Sequence, residues 1–377
     1  MATRAIGAGT RRYLRNFNWV LVTPCVLVTV LGVISIISAD LHAPNASHEF
    51  QKQIFYAIVG IGLMLVLSRV DYRLWRRCAP AIYALNLVLL AFILLHGHQS
   101  HGAQRWITLG PLGTFQPSEP AKLFLAIALA YVLCRGDYER WQDLWKPLAA
   151  VAVPALLILK QPDLGTTLVV LAILSAQLFF GLPKLKYFAA YFVAVLGVAV
   201  FTVGTKYVLK PFQKARLLVF LNPKADPQGA GYNLNQSKIA VGSGQWFGRG
   251  LHHGTQTQLD FVPEHSRDFI FTVVGEELGF LGGLLLVALY GTILYGGIRT
   301  MLAARDRFGF LLATGIVAML TFHIVVNIGM TVGIMPITGI PLPFMSYGGS
   351  AILTNFAAVG VLLNIYLQRD RDVLGNA

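Results

Sequence analysis

The sequence predicts an all-α polytopic membrane protein of about ten transmembrane helices, with one large extracytoplasmic loop between helices 7 and 8. Three observations lead there. Of 377 residues, 55% are hydrophobic and only 12% charged, and the mean hydropathy of +0.62 is foreign to ordinary soluble domains. Ten runs or near-runs are apolar over about the 17–25 residues that a helix needs to cross the hydrocarbon core. Lysine and arginine gather in alternate loops, as they do on the cytoplasmic side of membrane proteins.

The predicted spans are 17–39, 53–69, 78–95, 119–135, 147–160, 164–181, 187–208, 269–298, 308–332 and 350–368. The first follows a basic segment in the manner of a signal peptide, but its apolar run exceeds the roughly 7–15 residues of a cleaved segment. It reads as an uncleaved signal anchor. The fifth and sixth are short and separated only by "KQPDLG". With both termini cytoplasmic, the inner segments hold Arg4, Arg11, Arg12, Arg15, Arg69, Arg73, Arg76, Arg77, Arg135, Arg140, Lys146, Lys184, Lys186, Arg299, Arg305, Arg307, Arg369 and Arg371. The short outer loops hold Lys52, Arg105 and Lys160. No linker or internal repeat divides the chain, so a single membrane domain, 1–377, is expected.

The hydrophilic segment 209–268 carries Lys210, Lys214, Arg216, Lys224, Lys238, Arg249 and Arg267 against Asp226, Asp260, Glu264 and Asp268. A basic excess on the outer face has two readings: a solvated loop near anionic headgroups, or a site for an anionic substrate such as a phosphate or pyrophosphate. No nucleic-acid partner is expected of a site at a membrane surface. Cys25, Cys78 and Cys134 lie in or at the ends of spans and suggest neither a disulfide nor a metal cluster.

Three patterns are set aside. "VGSGQWFG" (241–248) spaces its glycines as G-x-G-x-x-x-G in a polar loop, which is no dinucleotide fingerprint. His96, His98 and His101 lack an accompanying HExxH helix and read as a solvated cluster. "GGSA" (348–351) has no histidine after it to activate its serine.

Ionisable groups at the outer ends of spans remain, and such groups in lipid usually face an interior cavity. In "FQPSEPAKLFLA" (115–126) Glu119 and Lys122 share one helix face, with Ser118 as the expected N-cap and Pro120 in the first turn. A lysine near a helix N-terminus opposes the dipole and so requires a specific partner, for which Asp163 of "KQPDLGTT" is the candidate; Asp163 also fits a simple N-cap. Asp268 opens the eighth span in "FVPEHSRDFIFTVVGEELGFLGG" (261–283), beside His265 and Arg267, and is either an N-cap or a general base acting on a hydroxyl of a lipid-linked substrate. Glu276 and Glu277, about two turns deeper, require partners inside the bundle or in a second protein.

Those blocks, with "FQPSEPAKL", "QPDLGTT" and "NIGMTVGIMPITGIPLPFMSYGGSA" (327–351), together resemble the SEDS proteins, the shape, elongation, division and sporulation family. The resemblance runs from about residue 50 to the C-terminus. "GIMPITGIPLPFMSYGGSA" and "RLLVFLNPKADPQGAGYNLNQSKIAVGSG" are similar to its elongation branch, where the division branch tends to have G-L-x-L-P. Two departures touch substrate geometry: Pro120 after the glutamate of "SE-x-AK", and Arg267 where the family usually has threonine.

The resemblance implies a peptidoglycan glycosyltransferase at the outer face of the bacterial cytoplasmic (inner) membrane, polymerising lipid II into β-1,4 glycan and releasing undecaprenyl pyrophosphate. Asp268 matches the family's essential aspartate and would be the general base; Glu119, Lys122 and Asp163 match its charged site positions. Arg105, Arg216 and Arg249 join them as substrate-binding candidates by charge and location. A divalent cation, Mg2+ or Mn2+, could share the countercharge, although no metal-ligand spacing is evident. The resemblance also implies a class B penicillin-binding protein as transpeptidase partner, together with the rod-shape elongation machinery. The deeper glutamates and the eighth and ninth spans are expected contact surfaces for it. The rival readings are a lipid II flippase, which should place charge or broken helices at the midplane, and a non-catalytic scaffold.

Overall fold

The computed structural model describes residues 15–40, 49–100, 103–108, 110, 114–205, 211–222, 226, 229–259 and 261–369. His101, Lys210, Lys224 and Asp260 lie outside the described residues. The chain begins with α1 (Trp19–Asp40), α2 (Glu49–Leu67) and α3 (Tyr72–His96), then the strands β1 (His98–Ser100), β2 (Ala103–Thr108) and β3 (Thr114–Phe115). The strands form a small antiparallel sheet in the order β1-β2-β3, a feature absent from the all-helical expectation. Four helices follow: α4 (Ser118–Arg135), α5 (Trp145–Lys160), α6 (Leu164–Gly181) and α7 (Leu185–Gly204). The outer segment then folds into α8 (Pro211–Leu221), α9 (Ala230–Ser243), α10 (Thr255–Gln258) and α11 (Ile270–Glu277), and the chain ends with α12 (Gly279–Leu302), α13 (Arg307–Val332) and α14 (Gly349–Leu367).

Among the described residues, nine helices are long and apolar enough to cross a membrane. The remaining expected span, the fourth, is present as α4, but its 18 residues include Glu119, Lys122 and Arg135. Charge at those positions is costly against lipid. Accordingly α4 is packed by α3, α5, α6, α13 and α14, and Glu119 and Lys122 are 5% and 2% exposed. The most charged span is thus sheltered by its neighbours, and it sets the position of everything at its outer end.

The eighth run does not form one helix. It breaks at Leu278 between α11 and α12, so Glu276 and Glu277 lie in the outer layer before the membrane helix begins. The Glu276 carboxylate accepts hydrogen bonds from the backbone N–H groups of Gln256 (2.8 Å) and Thr257 (3.1 Å) at α10. Glu277 accepts from the Ser38 hydroxyl at the end of α1. Both glutamates are buried at 0% and 2% exposure, so they are internal anchors and not a contact surface for a partner.

The glycines of "VGSGQWFG" serve this break. Backbone N–H groups of Arg249 and Gly250 donate to the carbonyls of Glu276 and Glu277, each at 3.0 Å, and Phe280 donates to Gln245 at 2.8 Å. Gly248 has φ +79° and Gly279 φ +65°, a region open mainly to glycine. A Cβ on Gly248 would also run into the Glu277 carbonyl, and one on Gly279 into the Gly248 amide. Gly248→Ala is therefore expected to destabilise the protein by about 2 kcal/mol or more, read as a lowered thermal unfolding midpoint of the purified full chain. An unchanged midpoint would contradict the packing just described.

Candidate active site

Asp268 lies in the turn that leads into α11. The helix N-cap position belongs to Phe269, and no side chain caps that end. This separates the two readings of Asp268, because its carboxylate is not spent on the helix. Instead the backbone around it is held. The Ser266 carbonyl accepts from the Tyr347 amide (2.9 Å), the Arg267 carbonyl from the Ser346 hydroxyl (2.6 Å) and the Asp268 carbonyl from Asn327 Nδ2 (2.8 Å). Three successive carbonyls are clamped, while among the described residues the Asp268 carboxylate has no hydrogen-bond or ion-pair partner.

Arg267 turns away to Glu49 on α2 (3.2 Å) and to Glu264 (3.4 Å), and its guanidinium lies over the Tyr347 ring. The cation that faces Asp268 is Arg216, from α8. Both line the backbone of Gly339, where an added Cβ would lie 3.0 Å from Arg216 Nη1 and 3.1 Å from Asp268 Oδ2. Gly339 has φ +72°, so the 336–346 loop approaches the pair as only a glycine readily permits. Burial raises the Asp268 carboxyl from 3.8 to about 6. Arg216 pulls it down, whereas Glu264 and Asp163 push it up.

Asp163 has the opposite arrangement. It is the N-cap of α6, accepting from the Thr166 amide at 3.1 Å and from the Thr166 hydroxyl at 3.0 Å. Gln116 donates to it at 3.3 Å and Ser118 at 3.5 Å, and Arg105 of β2 stands 3.8 Å away. Arg105 also donates to the carbonyls of Gln161 (2.9 Å) and Pro162, and Gln213 of α8 grips Pro162 from the other side at 3.1 Å. The turn before α6 is thereby tied to the sheet, to the head of α4 and to the helix that carries Arg216.

The expected ion pair between Lys122 and Asp163 is not formed. Lys122 Nζ donates to Glu119 Oε1 at 2.8 Å and meets His323 Nε2 of α13 at 2.9 Å. The i,i+3 spacing on α4 already brings Glu119 to the ammonium, and the Asp163 oxygens are taken by α6, Ser118 and Arg105. Ser118 is not the N-cap of α4 either: that position is Pro117, without a side-chain bond, and the Ser118 hydroxyl points its hydrogen at Asp163. Arg249 stays apart from this cluster, donating to the Thr255 hydroxyl at 2.6 Å and to the Glu276 carbonyl. Asp268, Arg216, Asp163, Arg105, Glu119 and Lys122 are gathered at one end of the bundle; Arg249 is not.

Sequence reasoning missed Asn327, His323 and Ser346. Asn327 bridges the carbonyls of Asp268 and Ile340, both at 2.8 Å, and is fully buried. A polar side chain in an apolar run requires an internal partner, and that signal was available at both Asn327 and His323.

The sequence profile of the family described as "Cell cycle protein", which groups FtsW, RodA and SpoVE, matches residues 18–371. The peptidoglycan glycosyltransferase MrdB of Escherichia coli K12 is 37% identical over 320 residues, covering 85% of this chain and 86% of the relative. Among solved structures, the chain resembles one titled for the structural coordination of polymerization and crosslinking by a peptidoglycan synthase complex, with a TM-score of 0.79 and 32% identity over 94% of this chain and 98% of that one. It also resembles the rod shape determining protein RodA of Thermus thermophilus, with a TM-score of 0.68 and 30% identity over 94% and 97%.

The Asp268 environment has a thermodynamic signature. Its carboxyl titrates higher in the folded than in the unfolded chain, so the folded state binds more protons between pH about 4 and 6 and loses stability as pH rises through that window. Asp268→Asn should therefore raise the thermal midpoint above pH 6 and leave it unchanged near pH 4. A midpoint difference independent of pH would refute the assignment.

Proposed function

The chain belongs to the family of FtsW, RodA and SpoVE, and on that premise we propose that it is a peptidoglycan glycosyltransferase whose general base is Asp268. Its substrate is lipid II, presented at the outer face of the bacterial cytoplasmic membrane, with both termini of the chain in the cytoplasm. The observation that carries this reading is the clamp on residues 266–268, which holds the backbone rigidly and leaves a carboxylate near pKa 6 unpaired. A base with that proton affinity is largely ionised at neutral pH yet still able to take a proton.

In the reaction the Asp268 carboxylate removes the proton of the acceptor sugar's 4-hydroxyl as that oxygen attacks the anomeric carbon of the second lipid-linked sugar. The bond from that carbon to the diphosphate breaks, and undecaprenyl pyrophosphate leaves with inversion from an α-linked phosphate to a β-1,4 bond. No carboxylic acid is required on the leaving side, because a diphosphate departs without the protonation that a sugar oxygen needs. It requires countercharge instead. Arg216 and Lys122 supply it, with Arg105 held in reserve by the Asp163 turn.

A divalent cation, Mg2+ or Mn2+, belongs to the proposal as a companion of the diphosphate. Among the described residues no three His, Cys, Asp or Glu side chains come together as a ligand set. Magnesium is commonly bound through one or two carboxylates plus substrate phosphates, and Asp268, whose carboxylate has no partner among the described residues, would be its protein ligand. Its chemistry there would be to neutralise the leaving diphosphate.

Crosslinking requires a transpeptidase, which we assign to a class B penicillin-binding protein of the elongation machinery. The resemblance to the chain from a complex that coordinates polymerization and crosslinking supports this. The exposed face of α12, with Phe280, Leu281, Leu284 and Leu285, is the surface for it, whereas the expected ninth-span surface is largely buried in α13. The test is lipid II polymerisation by the full chain with that partner. Asp268→Asn should lower the rate by about 100-fold or more while the variant stays folded and partner-bound. Full activity of the variant would remove Asp268 from the chemistry.

A further inference from the structure

His323 takes no part in the scheme above, although it is 1% exposed in the middle of the bundle. Its Nδ1 lies 2.7 Å from the Met319 carbonyl. A carbonyl only accepts, so Nδ1 carries the ring hydrogen. A neutral imidazole has one such hydrogen, which leaves Nε2 as a bare lone pair facing the Lys122 ammonium at 2.9 Å. Protonation would set an N–H against that ammonium, two positive charges in contact between buried side chains.

An ammonium has three hydrogens. One goes to Glu119, one to His323, and the third has no acceptor among the described residues. Two fixed acceptors from different helices stop the rotation of the ammonium, so the remaining hydrogen has one direction. Ser118 stands one turn outward on the same face of α4 and donates to Asp163, which places Lys122 one turn beneath the carboxylate cluster.

We infer that His323 is the positioning residue of the diphosphate-binding end of the site: it holds the Lys122 ammonium without adding a second negative charge to that of Glu119, so that the third hydrogen is presented to a phosphoryl oxygen. This rests on Lys122 being countercharge in the proposed reaction. The residue type matters. A carboxylate at 323 would hold the ammonium as well but make the trio net negative and repel a phosphate. An apolar side chain would leave two ammonium hydrogens without acceptors and let the group collapse onto Glu119. Asn327, one turn along the same face of α13, holds the Asp268 backbone, so a single helix face supports both the base and the countercharge.

The test uses the full chain in lipid nanodiscs, with inorganic pyrophosphate as the probe in calorimetric titration and lipid II in turnover assays with the partner. His323→Phe should weaken pyrophosphate binding about tenfold, the scale set by losing one hydrogen bond to a charged group, and raise KM for lipid II more than it lowers kcat. His323→Gln, whose amide oxygen can accept, should restore both. In a Lys122→Met background His323→Phe should have no further effect on pyrophosphate affinity. If the phenylalanine variant fails to fold, His323→Gln is compared with His323→Asn, whose oxygen falls short of Lys122. Wild-type affinity in His323→Phe, equal losses in all variants, or no pyrophosphate binding by the wild type would overturn the inference. Pyrophosphate binding that depends on His323 in a protein that makes no glycan would uphold it and sink the reading of the reaction instead.

Discussion

Burying charge in a bundle surrounded by lipid is the constraint from which the charged end of this protein follows. Lys122 and Glu119 cannot face hydrocarbon, so α4 is enclosed by five other helices. Once enclosed, each ionised group needs a partner, because removing one member of a buried pair typically costs about 3–5 kcal/mol. Glu119 answers Lys122 from within α4, and His323 answers it from α13. That second contact fixes how α13 sits against α4, and hence where Asn327 and the loop beyond α13 come to lie.

Two neighbouring aspartates are set in unlike surroundings. Asp163 has its oxygens occupied by the amide and hydroxyl of Thr166, by Gln116 and Ser118, with Arg105 close by. Asp268 has its backbone occupied and its carboxylate free. Carboxylates in neighbouring but unlike environments are a common route to divided roles in catalysis. Burial raises the proton affinity of Asp268 most, and the negative charge of Asp163 adds to that rise.

The 209–268 segment is held at its seam with α12 by backbone as well as by side chains. The 244–250 loop lies against the break between α11 and α12 through main-chain hydrogen bonds, an approach that Gly248 and Gly279 permit. Glu276 and Glu277 fasten the same seam to α10 and α1. The break ends α11 before the apolar run of α12 begins, so α12 starts as an uncharged span and the turn that holds Asp268 is carried on a short helix of its own.

Run length and loop charge alone specified the membrane class, the approximate limits of most spans and the residue types at their ends. Apolar run length and loop charge are local properties that the bilayer reads directly. The sequence also pointed to Asp268, Asp163, Glu119 and Lys122, since ionisable groups at span ends are rare enough to stand out. Pairing was left to tertiary structure. Lys122 chooses Glu119 and His323 over Asp163, Arg249 goes to the α10 seam, and Asp268 is freed from capping by a one-residue shift of the helix start. Each of these depends on distances between segments far apart in the chain, and a one-dimensional pattern carries no information on which of several opposite charges comes within 3 Å. The glycine-rich "VGSGQWFG" shows the same limit: its spacing says that backbones approach closely, while only the fold says that the approaching backbone is that of Glu277.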